Sequence, residues 1–435
     1  MLGSFTSNDL EKSAELRSLY SRILELILSL SEPLHNLKPL SQACEEVLSS
    51  LLSILSLVDF LDAVEALLQR PQDELRRKVL RLLDNRLRDN PARDSRSRQK
   101  VLDFLAILLQ IIKSSPDALL KHAAVACVDR ITETYGRADP AKLEIAAVVI
   151  ASEACIGQSD DRICVMSLLC LASLTEVLGQ RIIPALPDAL NRSLRLLEIG
   201  LERYKENAKL HDAVFSLLSV FFEHVPFMIS DKYLDSILQL SFRSASSSIS
   251  TDSHDCRRET MALLARRVDV KESFGAIERN WSTAVQEGPI AAKEALNVVG
   301  LAIEKHPKSS TVNNVEILSK LLHKSFDLRR EQVCIETGTK YEPSELEDVE
   351  NSINTVAIQM TYKLNDTIFR PFFVELVEWA TNGLPKNNIR GKTMRLTTFY
   401  KFLQNFFGTL KVRIRQRSPH NQLDETNVYL KVHCY

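Results

Sequence analysis

The sequence predicts an all-α protein, an α-solenoid of HEAT-like helical hairpins that is followed by a C-terminal helical block. The 435 residues include only 12 glycines and 6% aromatic side chains, too few for the turns and strands of β-sandwiches and propellers. Apolar residues recur at i, i+3 and i+4 along most of the chain, which is the spacing of a helix face. An example is the set Leu24, Leu26, Ile27 and Leu30. An apolar content of 45% with a net charge of −1 excludes an intrinsically disordered chain.

The predicted second helices of successive hairpins begin at a regular interval. Their first residues stand 43, 44, 47 and 48 positions apart, at Asp73, Pro116, Asp160, Asn207 and Asp255. HEAT and armadillo repeats are about 40–47 residues long. A single hairpin cannot bury its apolar face, whereas stacked hairpins share a continuous core. The interval therefore favours a solenoid over the alternative, a closed helical bundle, which needs no regular spacing.

Helix starts are marked by capping residues and by proline at the first helical position. Ser115-Pro116-Asp117 and Asp139-Pro140 carry this signal, because the missing N–H of proline has no helical partner at that position. The pattern indicates no strand. It predicts helices over residues 9–31, 40–56, 57–70, 73–89, 95–113, 116–136, 140–155, 160–178, 187–204, 207–225, 230–243, 254–268, 270–286, 289–305, 311–330, 344–364, 367–382 and 392–411.

Interruptions of the helical pattern divide the chain into four predicted regions. Residues 1–331 are the HEAT-like solenoid, residues 332–345 are a linker, and residues 346–411 are the C-terminal helical block. Residues 412–435 lose helical periodicity, so we expect an atypical, disordered tail there. Inside the solenoid, the serine-rich residues 244–253 are expected to form a mobile loop.

No motif brings catalytic or metal-binding side chains together. HExxH, GxSxG and GxGxxG are missing, and the eight cysteines form no CxxC pair. Gly391-Lys392-Thr393 resembles the end of a phosphate-binding loop, but Lys386 stands where that loop needs a glycine and no strand precedes it. The sequence therefore predicts a protein that is not an enzyme and that needs no cofactor or metal.

The cysteines and the hydropathy pattern predict the compartment. Most of the cysteines lie in apolar helical runs, as expected for buried, reduced thiols. No apolar run approaches the roughly 18 residues of a membrane span, and the N-terminus has no basic start followed by an apolar core. We therefore expect a soluble intracellular protein without a membrane partner.

Basic residues are concentrated towards the end of an otherwise acidic chain. From Trp379 to Leu423 there are nine Lys or Arg residues and no Asp or Glu, whereas the first 378 residues carry a net charge of −9. Such a basic segment suggests contact with a polyanion such as RNA, an acidic protein partner and a solvated surface being the alternatives. The aromatic residues among these cations are expected to pack in the core. The candidate RNA-binding residues of this segment are Lys386, Arg390, Lys392 and Arg395.

A second basic segment runs from Arg76 to Lys100, with ten Lys or Arg residues against three Asp. Arg77 lies where helical repeats often use an arginine for internal hydrogen bonding. Arg93, Arg96 and Arg98 lie in a polar link at 89–98. Because a link leaves its side chains free, these three arginines are the better candidates for phosphate contact.

The most specific pattern lies between Tyr362 and Ala380. It begins with Lys-Leu-Asn-Asp-x-x-Phe-Arg-Pro-x-Phe from Lys363, continues with an apolar helix that ends in Trp379-Ala380, and is followed by Arg395 and Thr-Phe-Tyr-Lys-Phe-Leu. This pattern resembles the C-terminal region of the HEAT repeat-containing protein one family, whose fungal members are called U-three small nucleolar RNA-associated protein ten.

The resemblance implies a function in ribosome biogenesis. Members of that family are structural subunits of the small-subunit processome in the nucleolus, within the nucleus. They belong to an early subcomplex that assembles with β-propeller proteins on the 5′ external transcribed spacer of pre-ribosomal RNA. They are also linked to transcription by RNA polymerase I, and they bring no catalytic residues. They are several times longer than this chain, which would correspond to a C-terminal piece.

The alternative is a generic HEAT-repeat adaptor of the transport-receptor or chromosome-organising type. The acidic first 378 residues would suit a basic cargo. This alternative does not explain the Lys-Leu-Asn-Asp-x-x-Phe-Arg-Pro pattern, so the sequence favours the processome scaffold.

Overall fold

The computed structural model describes residues 14–31, 37–203, 208–229, 231–247, 249–334 and 340–417. Within these ranges the regular secondary structure is entirely helical, so the predicted all-α fold is confirmed. The α-helices, numbered α1 to α20 in chain order, are Ala14–Ser31, Lys38–Ile54, Leu57–Leu68, Asp73–Asp89, Ser95–Ser114, Ala118–Tyr135, Pro140–Ile150, Asp161–Leu178, Leu186–Arg203, Ala208–His224, Asp231–Ala245, Thr251–Arg267, Val270–Glu287, Pro289–Lys305, Lys308–Asn313, Val315–Phe326, Leu328–Cys334, Pro343–Lys363, Asp366–Thr381 and Ile389–Arg417.

The chain forms two compact units, one that ends at Val225 and one that begins at Pro226. In unit one, helices pair as the antiparallel hairpins α3–α4, α5–α6, α7–α8 and α9–α10. The second helices form one layer, in which α4 packs on α6, α6 on α8 and α8 on α10, while α3, α5 and α7 pack in a first layer. The second helices begin at Asp73, Ala118, Asp161 and Ala208, within two residues of the predicted starts. The predicted hairpin solenoid is therefore confirmed.

The core of unit one lies between the two layers. Leu80 and Leu83 of α4, Ile131 of α6 and Leu171 of α8 have no exposed surface. Cys127 is equally buried and its thiol donates a hydrogen bond to the Leu80 carbonyl at 3.2 Å. Burial likewise raises the pKa of Cys155 to about 11, so these thiols are protonated at neutral pH. The interpretation of the cysteines as small buried apolar residues is confirmed for the four cysteines of α6 to α8 and their connections, Cys127, Cys155, Cys164 and Cys170. Three others, Cys44, Cys256 and Cys334, are only half-buried, and Cys434 lies outside the described residues.

One stretch contradicts the prediction that no apolar run approaches the length of a membrane span. Asp161–Leu201 passes the length and composition test for a membrane-spanning helix, and 56% of its apolar window is buried inside the protein. The stretch consists of α8, a 3₁₀ turn at Gly179–Ala185 and most of α9. Because α8 packs between α6 and α10, its apolar composition serves the interior of the solenoid.

Unit two continues the same pattern of two layers. Helices α11, α13 and α16 pack in one layer, and α12, α14 and α18 pack in the other. The predicted helix at 311–330 is instead three helices, α15, α16 and α17, because turns at Asn314 and Asp327 interrupt it. The hairpin α19–α20 packs against this stack through contacts with α16, α17 and α18.

The predicted linker is held against unit two at both described ends. The Tyr341 hydroxyl donates to the Val285 carbonyl at 2.7 Å, and its backbone N–H donates to Oε1 of Gln332 at 3.0 Å. Helix α20 continues to Arg417, so the first six residues of the predicted tail are helical. Residues 335–339 and 418–435 lie outside the described residues, and the predicted domain boundaries stay a prediction.

The described parts of the serine-rich segment, residues 244–247 and 249–253, make specific contacts. Ser250 caps helix α12 by accepting a hydrogen bond from the Ser253 N–H at 3.2 Å. Ser246 donates to the Glu287 carbonyl, and Ser253 is fully buried. Serine is polar, but its hydroxyl favours helix N-caps, which is why this segment starts a helix.

A buried ion pair anchors α12 to α14. Arg257 is 1% exposed, and its guanidinium donates to Oε1 of Glu294 at 2.7 Å and to the Ser241 carbonyl at 3.1 Å. His254 faces this arginine, with Nδ1 at 3.2 Å from Nη2 of Arg257. Burial, and then the positive charge of Arg257, lowers the pKa of His254.

We expect the free energy of unfolding to depend on pH through the titration of His254. The pKa of His254 is lower in the folded protein than in the unfolded chain. The stabilisation that comes with the neutral histidine is therefore fully present above the ordinary histidine pKa, and it is lost as the pH falls below that value. Urea unfolding at pH 7.5 and 5.5 should therefore show a larger loss on acidification for the natural chain than for His254→Gln. The comparison isolates His254 from the other titrating groups, and equal losses in both proteins would contradict the assignment.

Candidate nucleic-acid interface

The loop patch consists of Arg93, Arg96 and Arg98, at the connection between α4 and α5. Asp94 caps α5 by accepting a hydrogen bond from the Ser97 N–H at 2.8 Å, and hydrogen bonds from Ser97 lower its pKa. Arg96 and Arg98 therefore lie in the first turn of a helix and not in a loop. All three arginines are exposed. Within the described residues, none of them forms an ion pair with a carboxylate.

A buried tyrosine fixes the position of this connection. The Tyr135 hydroxyl, at the end of α6, accepts a hydrogen bond from the Ala92 N–H at 2.7 Å, and burial raises its pKa. Arg137 follows in the 3₁₀ turn Gly136–Ala138 and is exposed. Both connections run from a second-layer helix to a first-layer helix, so they lie at the same edge of unit one. Sequence reasoning missed Arg137, because it is isolated in the sequence and joins the loop patch only through this packing.

Most of the other cations between Arg76 and Lys100 already have carboxylate partners. Arg88 is 2.7 Å from Asp84, and Lys100 is 2.6 Å from Asp62. Arg77 reaches Asp117 at the start of the next hairpin's second helix, at 3.7 Å, which agrees with its predicted internal role. Exposed pairs of this kind contribute about 0–1 kcal/mol to stability. They nevertheless reduce the positive charge that is available to a phosphate.

The helix patch consists of Lys386, Arg390 and Lys392, around the start of α20. The Asn388 side chain accepts a hydrogen bond from the Gly391 N–H at 2.9 Å and so caps this helix. Lys386 and Arg390 are exposed and Lys392 is half-buried. Among the described residues, no carboxylate pairs with these three cations. The partial positive charge of a helix N-terminus adds to their field.

Arg395 was predicted to belong with the helix patch, and this prediction is wrong. Its side chain is 8% exposed, and its guanidinium donates to both carboxylate oxygens of Asp327, at 2.7 and 3.1 Å. It also donates to the Trp379 carbonyl at 3.1 Å and lies 4.9 Å from the centre of the indole ring. Glycine is needed at 383, where a Cβ atom would lie 2.6 Å from Nη1 of Arg395. A cation with these partners cannot reach RNA.

Asp327 and Glu350 are the two buried carboxylates that join the last helices. Burial opposes ionisation of Asp327, but hydrogen bonds from Arg330 and Arg395 outweigh it and hold its pKa below the usual value. Glu350 is 3% exposed and accepts hydrogen bonds from Arg329 at 2.5 Å and from Lys401 at 3.1 Å. We call Asp327 with Arg330 and Arg395 the Asp327 node, and Glu350 with Arg329 and Lys401 the Glu350 node.

The matched family covers these nodes and the helix patch. Residues 310–414 match the BP28CT (NUC211) domain family. The matched segment includes helices α16 to α19 and most of α20, together with the Tyr362–Ala380 pattern.

Curated relatives extend the similarity to most of the chain. U3 small nucleolar RNA-associated protein 10 of Aspergillus niger is 59% identical over 91% of this chain. The protein of the same name from Neosartorya fischeri is 56% identical over 94% of the chain. The chain spans 22% of the length of each relative. The predicted resemblance is confirmed. Among solved structures, Kap121p bound to Nup53p is similar to this chain. The match covers 85% of this chain and 40% of the Kap121p chain, with 12% sequence identity and a TM-score of 0.43.

Two aromatic residues of α20 lie in the core of unit two. Phe402 has no exposed surface and Phe399 is 8% exposed. The Phe402 ring centre is 5.5 Å from that of Phe326 and 5.8 Å from that of Phe406. The expectation of core packing is therefore confirmed for these two residues. Tyr400 is 63% exposed and Phe407 is 36% exposed, so the expectation of core packing does not hold for these two residues.

The structure brings together no recognisable catalytic group in the ranges that it describes. No cluster of three or more His, Cys, Asp or Glu side chains in those ranges could hold a metal ion. Gly391-Lys392-Thr393 lies in the first turn of α20, which is helical where a phosphate-binding loop would follow a strand. The described surface instead presents exposed cations at helix ends.

Proposed function

We propose that the chain is a non-catalytic scaffold in ribosome biogenesis, within the small-subunit processome of the nucleolus. One observation carries the proposal, the 59% identity over 91% of the chain to a protein whose name states its association with U3 small nucleolar RNA. In this role the chain acts in pre-ribosomal RNA processing, 18S rRNA maturation and early small-subunit assembly, with a link to RNA polymerase I transcription.

The proposed partners are of two kinds. Other processome proteins, including β-propeller subunits of the early subcomplex, bind helix faces, since stacked hairpins offer long binding surfaces. The 5′ external transcribed spacer of pre-ribosomal RNA binds the cations. The loop patch with Arg137 and the helix patch support this proposal, because their side chains are exposed or half-buried and lack carboxylate partners among the described residues.

Affinity purification tests the proposal in cells. The tagged chain, expressed in a filamentous fungus, should enrich U3 small nucleolar RNA, spacer RNA and processome proteins above a tagged HEAT-repeat protein of unrelated function. Enrichment of transport or chromosome proteins in their place would reject the processome scaffold and favour the generic adaptor.

We expect charge reversal of the enlarged loop patch to weaken RNA binding. The variant R93E/R96E/R98E/R137E loses four phosphate contacts, and each contact to single-stranded RNA contributes about 0.7 to the salt dependence of binding. The slope of log affinity against log salt, measured with purified chain and spacer RNA, should therefore fall by about 3.

The matched control reverses four exposed cations outside both patches, in the variant R70E/R195E/K209E/R266E. Both variants change the net charge equally, so a general loss of attraction to RNA affects both of them. Equal loss of affinity in the two variants would contradict a specific role of the loop patch. Unchanged affinity in the loop-patch variant would leave protein binding as the function of this edge.

A further inference from the structure

The first layer of unit one contains a helix with an apolar outer face. Helix α7, Pro140–Ile150, exposes Ala141, Ile145 and Val148 at a spacing of four and three residues, which places them on one side of the helix. Ile145 is 63% exposed and Val148 is 46% exposed. A helix that is apolar all round is normally buried on all sides, so an uncovered face of this kind indicates an interaction surface.

The neighbouring first-layer helices do not share this feature. Helix α5 exposes Asp103, Gln110 and Lys113 on its outer side. Helix α9 exposes Arg195 and Glu198, with a single exposed isoleucine, Ile199, beside them. The apolar face is therefore specific to α7 and is not a general property of the layer. Because α7 is 11 residues long and α5 is 20, the two helices also leave space beside the C-terminal turns of α5.

That space is a groove of about 390 Å³, lined by Ala106, Leu109, Gln110, Lys113, Ser114 and Ile145. Ala106, Leu109 and Ile145 make part of this lining apolar, and Leu109 is 6% exposed. Its volume is sufficient for one or two large apolar side chains. Gln110 and Ser114, which are both exposed, add polar side chains to the lining. An amphipathic helix binds such a groove through its apolar face.

The charges around the groove indicate which partner it fits. Lys142 pairs with Asp103 across α5 and α7, and Glu144 pairs with Arg181 at 3.4 Å. Both pairs are neutral overall. Lys113 is exposed and has no carboxylate partner in the part of the chain that the structure describes. The groove therefore presents a partly apolar lining with one uncompensated positive charge.

We propose that the α5–α7 groove, with the outer face of α7, binds an amphipathic helix of another protein that carries acidic residues beside its apolar ridge. The apolar ridge covers Ile145 and Val148, and an acidic side chain pairs with Lys113. This inference concerns a different surface from the two basic patches and does not depend on RNA binding.

The test uses the purified 435-residue chain and two labelled probes. The first probe is an 18-residue designed helix with leucine on one face and glutamate and glutamine on the other, and the second has lysine in place of glutamate. Fluorescence anisotropy should show tighter binding of the glutamate probe. Ile145→Asp should weaken that binding about tenfold or more, because the substitution removes a buried apolar contact and adds a like charge.

Two further variants make the result specific. Lys113→Glu should reverse the preference, so that the lysine probe binds more tightly than the glutamate probe. Ile199→Asp, at a residue of α9 that is 41% exposed, is the control and should leave the affinity of both probes unchanged. Equal binding of the two probes, or equal affinity of the natural chain and Ile145→Asp, would overturn the proposal. Each variant alters an exposed side chain, and equal thermal midpoints confirm that it folds.

Discussion

Replacing Asp327 by alanine is expected to lower the free energy of unfolding of unit two by about 3–5 kcal/mol. The substitution leaves the guanidinium of Arg395 inside the protein without its carboxylate, next to the Trp379 ring. Removing one partner of a buried pair costs more than the pair contributes, because the remaining charge stays desolvated. Arg330 loses the same carboxylate, to which its Nε atom donates at 2.9 Å.

Asp348→Ala is the matched control for this prediction. Asp348 forms an ion pair with Lys293 at 3.3 Å, and its side chain is 64% exposed, so its removal should change stability by about 1 kcal/mol or less. Urea unfolding monitored by circular dichroism measures both variants. If Asp327→Ala destabilised the protein as little as the control does, the ion pairs of Asp327 would not stabilise unit two, and the burial of Arg395 would need another explanation.

The second large effect is expected for Phe402→Ala, which should destabilise unit two by about 3–5 kcal/mol. The Phe402 ring has no exposed surface and packs between Phe326 and Phe406. Its removal leaves a cavity where α16 meets α20, and the rings around that cavity lose contacts that they cannot fully regain by relaxation.

Phe407→Ala tests whether burial, and not aromatic character, causes this effect. Phe407 is 36% exposed, and its ring centre lies 5.6 Å from that of Phe406. Because solvent already reaches Phe407, the expected loss is about 1 kcal/mol or less. The same unfolding measurement compares the two variants. Equal losses would mean that Phe402 is not in the core that the structure describes.

Helix positions were largely predictable from the sequence, because the signals are local. A start such as Asp117 before α6 or Pro140 in α7 depends on the capping of the first helical turn, which neighbouring residues provide. The prediction failed at 311–330, where Asn314 and Asp327 interrupt the helix. The turn at Asp327 places its carboxylate where Arg395, 68 residues later, can bind it, and helical periodicity carries no information about such a distant partner.

The candidate interface was predictable only in part. Arg93, Arg96 and Arg98 are exposed as expected, and Lys386 and Arg390 are exposed as well. Arg395 has the same local surroundings in the sequence as the other cations, yet it is buried. Arg137 was not a candidate, although the hydrogen bond between Tyr135 and Ala92 places it at the edge where the loop patch lies.

The sequence by itself determined most of the helices, the length of the repeat and the acid-free segment near the C-terminal end, since each of these is a property of neighbouring residues or of composition. Only the tertiary structure decided which cations are free, which are buried with carboxylates, and that the outer face of α7 is uncovered. These properties depend on contacts between residues tens of positions apart. Their free energies of desolvation and packing are defined only once the helices have come together.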